Sequence, residues 1–395
     1  MASALGEIRS LASSVYVPSL LYGTAQGAVT PLVALSARDL GASVATAAIV
    51  VAIMGIGKIA GDVPAGWLVE RSGEWRSMFV ATAVFVAGAA GCVVGGEVWV
   101  VAAGAALMGL SNSVFGIARQ AYIADVVPYE MRGRAMSTLG GMQRVGLFAG
   151  PFMAAAAMGW LGTPGGYWTA IAMAVFSALV LLLFAGPDPE GRSGSAEATA
   201  GHSGFIPLVR AHAPVLRTLG VGALMIGAAR AARTVALPLW GDHIGLDAAT
   251  TTLIFGISGA AELLAFYPAG MVMDRFGRQW VVVPSMLLLG GSLALLPLTA
   301  GLSGYGVVAG LIGFANGISS GINMTVGADV SPVAGRATFL GVWRLFVDAG
   351  NGIGPVLVGA VAAVSTLGLG IVAAGVTAGL AAAIMGWYLP RYRKT

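Results

Sequence analysis

Nine charged residues stand inside otherwise apolar stretches of the sequence: Lys58, Asp62, Arg119, Arg144, Arg230, Arg233, Glu262, Arg344 and Asp348. A charge in such surroundings is costly and is kept where it meets a partner, a proton or a ligand. Carboxylates there can take up and release protons, and arginines can hold anions. Lys58 with Asp62, and Arg344 with Asp348, fall at i,i+4 spacing on one helical face. Uncharged polar residues repeat at helical spacing as well: Tyr22 and Gln26; Asn112, Phe115 and the charged Arg119; Arg230 with Arg233; Asn316, Ser320 and Asn323. A stripe of that kind suits the wall of a water-filled cavity.

Other chemistries find no support. The single cysteine, Cys92, lies in an apolar run, where a packed thiol is expected and neither an intrachain disulfide nor a cysteine zinc site can form. His202, His212 and His243 have no metal-binding neighbour pattern, so no metal is expected. The run Met54-Gly55-Ile56-Gly57-Lys58-Ile59 lacks the glycine spacing and the Ser/Thr of a phosphate-binding loop, and its dinucleotide-like glycines follow no strand. An enzyme and ATP-driven transport are therefore not expected. Energy would come from a proton gradient or from the substrate's own gradient, with no cofactor.

The elements that must position these residues are membrane helices. Of 395 residues, 57% are hydrophobic and 10% charged, against about 25% charged in soluble domains. A spanning helix needs about 20 apolar residues. The hydropathy pattern predicts helices at 14–37, 42–69, 77–96, 98–124, 135–157, 167–185, 216–240, 248–272, 281–300, 304–328, 337–361 and 367–389. The first is expected to remain as a membrane helix, since it is too long for a signal segment and lacks a convincing cleavage site. The fold class is thus all-α, with twelve transmembrane helices. With the N-terminus inside, fourteen basic residues fall in cytoplasmic loops and termini and one, Arg38, outside. That asymmetry predicts both termini in the cytoplasm and a place in the inner membrane. The net charge of +4 then follows from topology, with no nucleic acid as partner.

The polar stretch 186–213, rich in Gly, Pro and Ser, reads as a cytoplasmic linker between bundles at 1–185 and 214–395. The halves repeat at an offset of 204 residues. Gly66-Trp67-Leu68-Val69-Glu70-Arg71-Ser72-Gly73 matches Gly270-Met271-Val272-Met273-Asp274-Arg275-Phe276-Gly277. Gly109 and Asn112 match Gly313 and Asn316; Asp125 and Pro128 match Asp329 and Pro332; Gly150-Pro151 matches Gly354-Pro355. One offset across four motifs indicates duplication, and paired six-helix halves place a substrate site between them.

The loop at Gly66–Arg76, and more closely that at Gly270–Arg278, resembles the doubled loop signature of the major facilitator superfamily. The first copy departs from it, with Glu70 for Asp and Glu74-Trp75 where basic residues are usual. Gly146-Leu147-Phe148-Ala149-Gly150-Pro151 looks like the glycine-proline motif of drug:proton antiporters, and Gly350-Asn351-Gly352-Ile353-Gly354-Pro355 is similar; both also suit plain helix packing. The arginine usual early in the fourth helix of those antiporters is missing, with Ala105 where it would stand. The resemblance implies two pseudo-symmetric six-helix bundles, alternating access, a monomer in the lipid bilayer, and a cavity lined by the first, fourth, seventh and tenth helices. It also implies that the loop residues Gly66, Glu70, Arg71, Gly73, Gly270, Asp274, Arg275, Gly277 and Arg278 stabilise one conformational state.

In that fold the second helix faces the eleventh and the fifth faces the eighth. At 1.5 Å per residue, Lys58 and Asp348 both lie about 16 Å deep, Asp62 and Arg344 about 10 Å, and Arg144 and Glu262 about 14–15 Å. This suggests a cytoplasmic gate of Lys58–Asp348, Asp62–Arg344 and Arg144–Glu262, weakened by protonation of an acid. Pairing within helices, Lys58 with Asp62 and Arg344 with Asp348, is the competing arrangement. Arg119, Arg230 and Arg233 are then left over, and favour an anionic or amphipathic substrate. Arg119 could instead pair with Asp125, and Arg233 with Asp39 or Asp242. The leading expectation is proton-coupled, multidrug-type export of small organic compounds. The alternatives are a proton-coupled uptake symporter for an organic anion and, least favoured, a non-transporting sensor or scaffold.

Overall fold

A computed structural model describes residues 12–127, 129–184, 210–332 and 336–392 of the chain. The described residues are helical almost throughout and contain no strand. In lipid every backbone N–H and C=O must be satisfied within the chain, and long Ala/Gly/Val/Leu segments do so as helices. The helices are α1 Val17–Asp39, α2 Val44–Ser72, α3 Glu74–Val94, α4 Val98–Val126, α5 Tyr129–Leu161, α6 Pro164–Phe184, α7 Val221–His243, α8 Ala248–Phe276, α9 Gln279–Leu295, α10a Leu302–Ile318, α10b Ile322–Val330, α11 Arg336–Val364 and α12 Leu367–Tyr388. Among the described residues eleven spans are long and apolar enough to cross a membrane, with α10a and α10b forming one. The first helix, α1, is not among them; its Ser19, Thr24 and Gln26 are buried, so its polarity points into protein rather than lipid. The chain is a multi-pass membrane protein.

The contacts divide the chain into two compact units. The first comprises Met1–Ser43, Ile53–Ser195 and Asp247–Gly256, and the second Val44–Ala52, Ala196–Leu246 and Ile257–Thr395. The break at Ser195 falls in the predicted linker, whose residues 186–209 lie outside the described part. The expected contiguous bundles are modified at Val44–Ala52 and Asp247–Gly256, two stretches at equivalent places in the repeat.

Within each unit the helices pack in one pattern. In the first, α1 packs on α5 and α6, and α3 on α4 and α6; in the second, α7 packs on α11 and α12, and α9 on α10a and α12. Small residues set the approach. A Cβ at Gly146 would fall on the carbonyl oxygen of Leu20, and one at Gly350 on that of Leu224. Gly150 and Gly354 meet the carbonyls of Thr24 and Ala228 in the same way, and Gly109 and Gly313 those of Met54 and Ser258. Each pair of contacts recurs at the 204 offset. The glycine-proline motifs therefore serve close helix packing in both units.

The turns repeat too. Gly41 and Gly245 end α1 and α7 at φ 81° and 79°, and the loop-motif glycines Gly73 and Gly277 stand at φ 80° and 97°. Only glycine adopts this left-handed region without strain, which explains its place in both loop copies.

One predicted helix differs. The segment 304–328 is broken between Ile318 and Ile322. Ser320 N–H donates to Gly317 O at 3.1 Å and Ile322 N–H to Ser319 O at 3.2 Å, a tightened turn. The run Gly317-Ile318-Ser319-Ser320-Gly321 has weak helix propensity, and Ser319 spends its hydroxyl on Asn316 O. The predicted 281–300 helix likewise stops early, giving way to a tight turn at Leu296–Leu298 around Pro297.

Candidate functional site

In the second unit the helical spacing of α7 brings Arg230 and Arg233 onto α8 and α10a. Arg233 NH1 lies 2.9 Å from Glu262 Oε2, and Arg230 NH2 lies 3.9 Å from Glu262 Oε1. Arg230 Nε also donates to Asn316 Oδ1 at 2.7 Å, its NH2 reaches Ser320 Oγ at 3.5 Å, and Arg233 NH1 reaches Ser258 Oγ at 3.4 Å. This corrects the expectation that both arginines would be left without an acid, and that Asp39 or Asp242 would serve Arg233. The depth argument matched Glu262 to Arg144 on another element and overlooked that α7 and α8 bring their charges together inside one unit. Asp39 accepts from Thr163 Oγ1 at 2.9 Å.

One carboxylate between two arginines leaves a net positive cluster. Taking away the acid of such a half-buried group costs about 3–5 kcal/mol, because the cations lose their compensation. Asn323, also expected in this stripe, is buried; its backbone oxygen accepts from Trp343 Nε1 at 2.8 Å, while its Oδ1 has no partner among the described residues.

The first unit holds a cavity of about 230 Å3 lined by Gln26, Thr30, Lys58, Phe85, Asn112 and Gln143, among others. Gln26 and Asn112 were expected here, whereas Lys58 was assigned to a gate. Tyr22 and Phe115 do not line it. They stack at 3.9 Å between centroids and are almost wholly buried, and the Tyr22 hydroxyl is 2.6 Å from Ser111 Oγ. Arg119, 7% exposed, donates from NH2 to Gln143 Oε1, and Gln143 Nε2 donates to Gln26 Oε1 at 3.2 Å. The side chain of Asp125, the alternative partner, lies outside the described residues.

The remaining gate residues are placed as follows. Asp62 accepts from Ser113 Oγ. Arg344 Nε lies 3.4 Å from Asp348 Oδ2, which realises the intrahelical arrangement on α11, and Asn351 Nδ2 donates to Asp348 Oδ1 at 3.4 Å. Arg144 is half-buried on α5.

In the loop motifs, Arg278 pairs with Asp329 at 2.7 Å. The equivalent positions of the first unit hold two acids, Glu74 and Asp125, so that pair has no counterpart there. Arg71 and Arg275 are exposed, with Arg275 5.4 Å from the Phe276 ring centroid; Gly66 and Gly270 have open space where a Cβ would stand. The side chains of Glu70 and Asp274 lie outside the described residues.

Gln143, Ser113, Ser258 and Thr30 were missed as site residues. Charge was the signal followed, and these are neutral. Gln143, an amide in an apolar run beside Arg144, was the legible clue.

Comparison with known proteins follows the same outline. The sequence is 28% identical over 271 residues to a chloramphenicol resistance protein of Streptomyces lividans, covering 68% of each chain. It is 26% identical over 165 residues to a probable metabolite transport protein, CsbC, of Bacillus subtilis, 42% of this chain and 35% of that one. It is 32% identical over 82 residues to mouse (Mus musculus) solute carrier family 2, facilitated glucose transporter member 8. The match spans only 17% of that transporter and 21% of this chain. Among solved structures, a bacterial homologue of the human lysosomal transporter Spinster superposes with a TM-score of 0.79 at 15% identity over 98% of both chains. A D-xylose–proton symporter superposes with a TM-score of 0.71 at 19% identity over 97% of both. The profile of the Major Facilitator Superfamily matches residues 16–232 and 219–395, and the chain belongs to that superfamily.

Proposed function

We propose that this transporter couples proton movement to the export of small organic compounds, with Glu262 as the proton-exchanging group. The observation that carries the reading is the Arg230–Glu262–Arg233 cluster: a titratable acid in the polar stripe of α7, α8 and α10a, held by two cations it would release on protonation. The Streptomyces lividans relative, named for chloramphenicol resistance, supports the outward direction. In this reading both termini are cytoplasmic, and the two halves rock around a central site. Exchange between pairs held within a unit and the pairs Lys58–Asp348, Asp62–Arg344 and Arg144–Glu262 opens and closes the cytoplasmic side. The protein acts as a monomer, without cofactor or metal.

Proteoliposomes loaded with chloramphenicol as the first probe test this. An imposed pH gradient is expected to drive its movement against the protons. Glu262→Gln is expected to abolish gradient-driven flux while leaving exchange of labelled for unlabelled probe. Gradient-driven flux that survives Glu262→Gln unchanged overturns the assignment. The second reading, proton-coupled uptake of an organic anion, is favoured by the excess of cations in the polar stripes. Flux of probe with the protons rather than against them would establish it in place of export.

A further inference from the structure

The cavity of the first unit sharpens the transport reading, on which this step rests, because its polarity is set by one residue outside its wall. A guanidinium only donates hydrogen bonds. Arg119 is buried, with 7% of its surface exposed, and gives one donor to Gln143 Oε1. Its Nε and NH1 have no hydrogen-bond partner among the described residues. A buried cation so sparsely satisfied is expensive to keep.

Its effect on the cavity follows from donor and acceptor counting. With the oxygen of Gln143 committed to Arg119, its NH2 is what remains to face Gln26, and it donates to Gln26 Oε1 at 3.2 Å. Gln26 then has its oxygen engaged and its NH2 left for the cavity. Neither amide can flip without setting an NH2 against the guanidinium. The Thr30 hydroxyl donates to Gln26 O at 2.8 Å, Lys58 contributes an ammonium, and the lining includes no carboxylate.

We propose that this cavity binds the carboxylate of a small organic acid through Lys58 and the Gln26 NH2. Arg119 is the positioning residue that holds the Gln143–Gln26 relay with its donors outward. An ionised carboxylate only accepts, so it matches both donors at once. A ligand presenting an ammonium or amide N–H meets donors instead. The volume of about 230 Å3 lies below the range of about 300–1,000 Å3 typical of drug-sized ligands. It suits a carboxylate with a short chain or a single ring, against the apolar wall of Val29, Phe85, Met108 and Leu147.

Equilibrium binding to the purified full chain in nanodiscs tests this without a gradient. The probes are benzoate, pyruvate and lactate, each against its neutral amide. At least one carboxylate is expected to bind about tenfold or more tightly than its amide, the margin of a charge-assisted hydrogen bond. Arg119→Gln, which frees the relay to flip, is expected to bring that ratio toward one. Arg119→Lys, still a donor-only cation, is expected to keep much of it. Gln143→Leu cuts the relay with Arg119 in place and is expected to act like Arg119→Gln. A purely structural role for Arg119 would weaken acid and amide alike and leave the ratio unchanged, and that result overturns the proposal. So does failure of all three carboxylates to bind, or binding of the amides as tight as of the acids. Loss of proton-driven flux with the binding ratio intact would instead count against the transport reading alone.

Discussion

The two units are built on the same helix contacts and carry opposite chemistry at matching positions. At the 204 offset Lys58 corresponds to Glu262, Gln26 to Arg230, Val29 to Arg233, and Arg119 to Asn323, while Asn112 and Asn316 agree. In the first unit the position on α2 is a cation at a cavity lined by amides. In the second, the same place on α8 is an acid clasped by two arginines from α7. The packing glycines, by contrast, match one for one. Backbone approach has few solutions and is held in common, whereas side chains aimed into polar space diverged. Each unit thus repeats a scaffold and specialises its stripe, the first toward recognition and the second toward charge exchange.

The largest effects are expected where the units agree. Gly109→Ala and Gly313→Ala each place a methyl on a backbone carbonyl, of Met54 and Ser258 respectively. Each is expected to cost about 3 kcal/mol, the upper end for overpacking, since a helix and not a rotamer must move. Thermal melts of the solubilised protein should show similar losses for the two. A loss confined to one variant would break the shared scaffold. Gly116 has open space at its Cβ, and Gly116→Ala is expected to be neutral or to stabilise by up to about 1 kcal/mol.

The next effects should separate the units. Glu262→Gln strips two arginines of their acid and is expected to destabilise by about 3 kcal/mol. Replacing Glu262, Arg230 and Arg233 together by leucine should recover most of that, because a half-buried ion cluster adds little over apolar packing. Lys58→Met exchanges a cation at a polar cavity for an apolar chain of similar length. It is expected to change stability by less than about 1 kcal/mol, the usual range away from packed or paired groups. Equal melting losses for Glu262→Gln and Lys58→Met would erase the contrast between clasped acid and cavity cation.

Much of the fold was legible in the sequence because lipid imposes helices and the duplication checks every assignment twice. The offset that aligned Gly109 with Gly313 also aligns the φ-positive turns at Gly73 and Gly277 and the backbone contacts of Gly146 and Gly350. The break after Ile318 was not legible from periodicity, since the apolar spacing continues through it; the clustered Gly and Ser residues were its only mark. In the site, residue types were readable and partners were not. Depth along a helix says how far a charge sits from the surface, not which neighbour faces it. That is why Glu262 was matched to Arg144 when Arg233, on the adjacent helix, lies 2.9 Å away. Neutral Gln143 escaped notice although it fixes the polarity of the first cavity.

The smallest expected difference lies at the starts of α2 and α8, where Ser43 and Asp247 occupy the same place in the repeat. Asp247 accepts from Thr250 N–H at 2.9 Å and from the Thr250 hydroxyl at 2.6 Å. Those bonds, the hydroxyl foremost, hold its carboxyl below the usual value of 3.8 despite some opposing desolvation. A depressed pKa means the cap contributes fully above the unfolded value near 4, and that contribution fades as pH falls through the lower folded value. Asp247 is exposed, so solvent screening keeps the effect small, and Asp247→Ala is expected to cost at most about 1 kcal/mol at neutral pH. Ser43→Ala should cost a similar amount at every pH, since a hydroxyl does not titrate in this range. Melts at pH 6 and at pH 3 decide it: the deficit of Asp247→Ala should shrink in acid while that of Ser43→Ala stays constant. Parallel behaviour of the two variants would mean that the caps, like the packing glycines, belong to what the units share.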